Sequence, residues 1–227
     1  MWAKDITGES FKLYKAAEEL SKVCLLLKIA IDGGKDSLSM YVKKDTEEQY
    51  IISPGQLVLT GYAPTKDIRK IVTPNIKEHN SLLCFVDMSF SCYNLGGSSV
   101  AQVFNQLGML PTSTKTILAV KSVFNVIQKL IGKKRNDVDI ILSGHDRSDG
   151  GLITTILEMC FSGGYGCILN VHEDTSWLNY FFNESPGIVL EIHPDNKEYI
   201  TEVFSQICPI TWLGRTCLKN TVKIRWR

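Results

Sequence analysis

The chain has 227 residues, 44% hydrophobic and 22% charged, with 17 glycines and 7 prolines. That composition excludes disorder, collagen and coiled coil, and the length suits one large domain or two small ones with a sizeable core. With 25 basic and 24 acidic residues the net charge is +1, so no global field attracts nucleic acid or an anionic membrane.

In chain order, residues 9–27 read as an amphipathic helix: Phe11, Leu13, Ala16, Ala17, Leu20, Val23, Cys24 and Leu27 recur near a 3.6 period, and Thr7-Gly8-Glu9 supplies a start. Ile29–Ile31 reads as a short strand running into Asp32-Gly33-Gly34-Lys35-Asp36-Ser37, and Leu38–Val42 resumes strand character. Lys43–Gln49 is a polar turn, Gln56–Ala63 a further strand, and the loop holding Pro64 and Pro74 a domain boundary. Residues 1–75 offer one helix and three or four strands, too little for an independent core. They are expected to be the end of a domain whose beginning lies upstream.

From Pro74 onward the pattern becomes a regular alternation. Strands are predicted at Leu82–Val86, Val138–Leu142, Gly166–Val171, Gly187–Ile192, Ile210–Leu213 and Thr221–Ile224. Helices are predicted at Gly97–Leu107, Thr114–Ile131, Leu152–Phe161, Trp177–Phe182 and Asn196–Gln206. Such alternation marks an α/β or α+β fold, a sheet covered by helices, with 76–227 long enough for one complete core. Lys133-Lys134-Arg135 closes the second helix, either as a solvated end complementing the dipole or as a phosphate-steering patch.

No apolar run approaches the ~20 residues of a membrane span. Met1–Asp5 shows no signal-peptide character and neither end a lipidation signal, so a cytoplasmic location is expected. The seven cysteines (24, 84, 92, 160, 167, 208, 217) include no C-x-x-C pair and several lie in apolar runs such as LLCFV and LEMCF, the pattern of buried reduced thiols. Histidines at 79, 145, 172 and 193 are scattered, which speaks against a Cys/His zinc site.

Three glycine-rich turns could carry chemistry. DGGKDS (32–37) combines paired glycines, a lysine and a serine, a composition fit for phosphate, although it lacks Walker A spacing and also suits a tight structural turn. HDRSDGG (145–151) lies between a predicted strand and a predicted helix, where ligands of α/β sheets gather. There Asp146 and Asp149 are hard oxygen donors suited to Mg²⁺, Ser148 can donate to a phosphate, and the helix start favours an anion. Ser148 or Asp149 could equally cap the helix. NLGGSS (94–99) is likewise a helix start, with a cap and an anion site as alternatives. The physical reading ends at magnesium–nucleotide binding, without a covalent nucleophile.

IAIDGGKDSLSM (29–40), LGGSSVAQVFNQLG (95–108), SGHDRSDGGLITTILEMCFSGGYG (143–166) and FNESPGIVLEI (182–192), in that order and spacing, resemble the second half of the large, single-chain phosphoribosylformylglycinamidine synthases. The resemblance implies an ATP-dependent ligase and glutamine amidotransferase of purine biosynthesis. Such enzymes turn formylglycinamide ribonucleotide, glutamine, ATP and water into formylglycinamidine ribonucleotide, glutamate, ADP and phosphate. It also implies an aminoimidazole-ribonucleotide-synthetase-like architecture: 1–75 the last part of a β-rich N-terminal subdomain, 76–227 a whole C-terminal subdomain with a mixed sheet covered by helices. The first synthase half and the glutaminase domain would be the partners of this chain, which on its own is expected to be inactive.

Carried over by resemblance, Asp146 matches a Mg²⁺ ligand and Ser148 a nucleotide contact, at an ATP/ADP site that the resemblance implies is auxiliary and structural. Gly34 and Ser37 match loop positions that contact ATP and the ribonucleotide substrate. Lys35 stands where smaller relatives carry a metal-contacting asparagine; an ammonium cannot ligate Mg²⁺, so a phosphate contact is expected. No catalytic residue is assigned to the chain. The alternative is a diverged, non-catalytic scaffold homologue of the same fold.

Overall fold

The computed structural model describes residues 1–44, 49–92, 94–108, 114–172 and 176–226. They form two compact units, Met1–Lys66 and Asp67–Arg227.

In the first unit, α1 (Glu9–Leu27) covers the predicted helix to the residue. It opens after Gly8 at φ +85° and closes on Lys28 at φ +60°, whose amide bonds the Cys24 and Leu25 carbonyls. Its apolar stripe is only half-buried, and none of its residues is fully covered. A short antiparallel hairpin follows, β1 (Tyr41–Lys43) against β2 (Tyr50–Ile52), with Tyr41 opposite Ile52. Residues 45–48 of the expected polar turn lie outside the described residues. The chain start lies along residues 37–40: the Trp2 amide donates to the Ser37 carbonyl (2.7 Å), and Met40 donates to the Trp2 carbonyl (3.2 Å). Two predicted strands, Ile29–Ile31 and Gln56–Ala63, are not strands here, and Ile29, Ile31, Leu57, Val58 and Leu59 are exposed. An apolar run becomes a strand only where a neighbour takes up its backbone ladder, and neither run finds one within this unit.

The second unit is built on a six-stranded sheet. Its strands are β3 (Leu82–Asp87), β6 (Ser143–Asp146), β7 (Gly166–Val171), β8 (Gly187–Ile192), β9 (Ile210–Cys217) and β10 (Val222–Trp226), ordered β10-β7-β9-β3-β8-β6. β10 and β7 run parallel and the remaining pairs antiparallel, so the expected mixed sheet is present. All six residues of β3 are buried, as a continuous apolar run demands of a central strand covered on both faces.

Alternation along β3 sorts the two faces. Leu83 and Phe85 pack with Leu152, Ile156 and Met159 of α4 (Gly151–Gly163) and Tyr180 and Phe181 of α5 (Trp177–Phe182). Cys84 and Val86 pack with Val123 and Ile127 of α3 (Thr114–Leu130) and Ile200 and Phe204 of α6 (Lys197–Ser205). The result is three layers, helix–sheet–helix.

Two of the boundary shifts bear on the glycine-rich turns. α2 (Ser99–Val103) is shorter than the predicted 97–107 because Asn105 turns to φ +55° and the Gly97 amide closes back on the Leu107 carbonyl (2.6 Å). The predicted strand 138–142 is a two-residue hairpin arm, β5 (Val138–Asp139) against β4 (Lys134–Arg135), and the sheet strand is 143–146. Ile140 and Ile141 are apolar because they are buried in the α3 and α6 layer, not because they join the ladder.

Candidate functional site

The strand shift matters for the loop at 145–151, since β6 carries the chain into it as an edge strand paired with β8. Extended backbone alternates sides, and the burial follows: Asp146 and Ser148 are exposed while Arg147 between them is buried. Arg147 anchors the loop. Its Nε donates to the Ser185 carbonyl (2.5 Å), its Nη2 approaches Asp87 Oδ1 (3.4 Å), and its guanidinium lies 4.8 Å from the Phe85 ring centroid. Asp87 in turn accepts from the Ser89 hydroxyl and amide and from the Ser91 amide.

Gly150 and Gly151 have backbone reasons to be glycine. Their φ angles are +84° and +75°, and a Cβ on Gly151 would stand 2.5 Å from the Phe181 carbonyl oxygen. Gly150 is the N-cap of α4 and offers no side-chain cap, so neither Ser148 nor Asp149 caps this helix. Ser148 instead donates its hydroxyl to Asp146 Oδ2. That bond holds the Asp146 carboxyl below its ordinary range against partial desolvation, with His145 adding to the effect. His145 lies between two carboxylates, its Nδ1 3.3 Å from Asp146 Oδ1 and its Nε2 2.7 Å from Glu158 Oε2.

Among the described residues no group of three or more His, Cys, Asp or Glu could cage a metal ion. Magnesium, however, commonly takes one or two carboxylates and completes its shell with phosphate oxygens and water. Asp146, ionised and 74% exposed at its side chain, suits that role as a single ligand. The donor set therefore fits a nucleotide-borne Mg²⁺ rather than an all-protein site.

NLGGSS resolves towards capping. The Ser98 hydroxyl accepts from the Ala101 amide (3.3 Å), the Ser99 amide donates to Glu184 Oε1 (2.9 Å), and the Gly97 and Ser98 amides bond the Leu107 and Leu95 carbonyls. These four amide donors are engaged.

DGGKDS lies in the first unit. Lys35 Nζ donates to the Asp36 carbonyl and to Ser37 Oγ (3.1 Å), and Tyr62 donates to Asp32 Oδ2 (2.5 Å). A Cβ on Gly33 or Gly34 would meet nothing within 4 Å, so open space rather than strain surrounds this pair. Gly34, Lys35 and Ser37 thus share one loop of the first unit, and Asp146 and Ser148 one loop of the second.

The family described as "AIR synthase related protein, C-terminal domain" matches residues 95–225, more than half of the chain. The chain belongs to the AIR synthase related family. Residues 1–64 match "FGAR-AT PurM_N-like domain". A Dictyostelium discoideum relative named phosphoribosylformylglycinamidine synthase is 38% identical over 97% of this chain and 17% of its own length. An Arabidopsis thaliana relative, named as a probable chloroplastic/mitochondrial phosphoribosylformylglycinamidine synthase, is 40% identical over 89% of this chain and 14% of its own. The chain therefore spans about a sixth of the length of these curated relatives. The T. maritima PurL structure complexed with FGAR superposes with a TM-score of 0.53 at 12% identity, over 70% of this chain and 28% of that one, a likeness of fold. Among the described residues no helix is long and apolar enough to cross a membrane.

Within this AIR-synthase-related domain, sequence reasoning assigned no role to Arg147, Glu158, Asn183 or Glu184. Arg147 had a signal available: a charged residue at the inward position of an alternating strand end must find a buried partner, here Asp87. Glu184 had none, because its two donors lie 34 and 85 residues away in sequence.

Proposed function

We propose that the chain is part of a phosphoribosylformylglycinamidine synthase, an ATP-dependent C–N ligase of purine biosynthesis, and supplies nucleotide, magnesium and substrate contacts to it. The observation that carries this reading is the 38% identity over 97% of the chain to a relative of that name. In it, 1–75 is the end of an N-terminal synthetase-like subdomain and 76–227 a C-terminal one, with the other synthase half and a glutaminase domain as partners. Asp146 is the Mg²⁺ ligand and Ser148 the nucleotide contact of the second unit. Gly34 and Lys35 face nucleotide phosphate and Ser37 the ribonucleotide. Lys35 is supported by its chemistry, since an ammonium donates to phosphate but offers a metal no lone pair. The chain works in the cytosol, a reading its seven unpaired cysteines favour.

Bound magnesium neutralises phosphate charge. The protein's part is to present Asp146 already ionised and to keep Ser148 beside it as a donor. The test is amide NMR of the chain titrated with magnesium–ADP to millimolar concentration. Shifts concentrated on residues 146–151 and removed by Asp146→Asn are expected; a loop unmoved at that concentration would overturn the assignment.

A further inference from the structure

We propose that Glu184 is a positioning residue that couples the two glycine-rich loops of the second unit, so that the loop bearing Asp146 and Ser148 is ordered together with the start of α2. Glu184 Oε1 accepts from the Gly150 amide (2.7 Å) and from the Ser99 amide (2.9 Å). Gly150 ends the 145–150 loop as the N-cap of α4, and Ser99 is the first residue of α2. One oxygen thus serves two helix starts. A carboxylate is a charge-assisted acceptor there, stronger than a neutral one and favoured by the exposed backbone dipoles. If the carboxylate moves to follow one amide, it loses the other.

The segment around Glu184 is fixed from both sides. Asn183 is wholly buried; its Nδ2 donates to the Asn94 carbonyl (2.6 Å) and its Oδ1 accepts from the Ser185 amide (2.9 Å). Arg147, from inside the other loop, holds the Ser185 carbonyl. Residues 183–185 therefore bracket loop 94–99 on one side and loop 145–150 on the other. The coupling stands on this geometry alone; only its use for a ligand rests on the function proposed above.

The decisive variant removes one amide and little else. Ser99 is the first helical position, where proline is favoured, and Ser98 sits at φ −67°, ψ 160°, the conformation a residue before proline adopts. Ser99→Pro therefore deletes one donor to Glu184 while sparing α2. Amide hydrogen exchange in the 227-residue chain is the readout. Glu184→Ala should speed exchange at both Gly150 and Ser99 by about tenfold, the loss of a charge-assisted bond. Glu184→Gln, which keeps an acceptor oxygen but loses the charge, should fall between wild type and Glu184→Ala. Ser99→Pro should speed exchange at Gly150, across the bracket, by several-fold. Unchanged Gly150 exchange in Ser99→Pro would overturn the coupling, and this variant decides even if Glu184→Ala fails to fold. Magnesium–ADP, added as the probe, separates the two readings. No response in the wild type sinks the nucleotide assignment alone, with exchange still deciding the coupling. Binding to Ser99→Pro at wild-type affinity, despite a loosened Gly150, would refute the positioning role.

Discussion

Gly150 and Gly151 lie at positive φ and a side chain on Gly151 would strike the α5 backbone, whereas Gly33 and Gly34 have open space around them. The two pairs look alike in sequence and are held by different physics. The second-unit loop is fastened from beneath by Arg147 and Glu184 to residues distant in sequence. In the first-unit loop, Lys35 is fastened to the next two residues, Asp36 and Ser37. The same contrast runs through the cores: β3 is covered on both faces, while α1 buries no residue completely. A glycine-rich turn is thus preset where a two-sided core stands behind it; where none does, it is held by Lys35's local contacts and by exposed bonds from Tyr62 to Asp32 and from the Trp2 amide to the Ser37 carbonyl.

The largest test of that contrast is a pair of truncations followed by urea unfolding. Phe85→Ala removes a wholly buried ring from the centre of the sheet and should cost ~3–5 kcal/mol. Val58→Ala trims a residue 75% exposed in the first unit and should stay within ~0.5 kcal/mol. Similar costs at both positions would erase the distinction between the units.

A somewhat smaller effect is expected at Glu191, whose carboxylate has no exposed surface. Oε2 accepts from the Lys77 amide (2.8 Å) and Ser143 hydroxyl (2.7 Å), and Oε1 from the Glu78 amide (3.0 Å) and Ser81 hydroxyl (2.7 Å). This carboxylate ties the start of β6 to the segment before β3. Glu191→Gln turns an NH₂ group towards donors and should cost ~1.5–3 kcal/mol by thermal unfolding. A cost under half of that range would mean the network can re-form around an amide.

Next in size is Asp146→Asn, which keeps the loop's shape and removes its ionised oxygen. Magnesium–ADP affinity should fall by ~1–3 kcal/mol, with little change in stability without ligand. Ser148→Ala should act in the same direction more weakly. Equal destabilisation with and without nucleotide would leave the loop a structural turn only.

How much of this was legible beforehand depends on where the information lay. β7, β8 and α5 match their predicted bounds, because each is bounded by glycine or polar residues and carries an unbroken periodic pattern. The sheet strand at 143–146 was misplaced because Ile140-Ile141-Leu142 is the more apolar stretch, and apolarity reports burial rather than pairing. Ile29–Ile31 and Gln56–Ala63 read as strands for the same reason. At the candidate site, Asp146 and Ser148 were visible as chemistry. The side chains that hold them, Arg147 and Glu184, act through partners many residues away, and spacing within one motif carries no trace of those contacts.

The smallest effect concerns a buried thiol. Cys84, Cys160, Cys167 and Cys208 of the second unit are buried, whereas Cys217 there and Cys24 of the first unit are half-buried and Cys92 is exposed. Burial, with Cys208 nearby, pushes the Cys84 thiol from 9.0 up to about 12. The folded protein therefore resists ionising a group that the unfolded chain ionises near pH 9. The stability this contributes is complete below the ordinary thiol range and drains away as pH rises from about 9 towards 12. Cys84→Ala lacks the titration. Its deficit against wild type, measured by chemical unfolding, should narrow with rising pH, by ~1.4 kcal/mol at one unit above the ordinary value. Comparing the two proteins cancels the alkaline titration of groups that do not interact with Cys84; Cys208, its neighbour, is pushed up to about 11 and titrates above the pH 8 to 10 window. Parallel stability curves from pH 8 to 10 would show that the sheet admits water to Cys84, and with it that the second unit's core is less closed than the first-unit comparison requires.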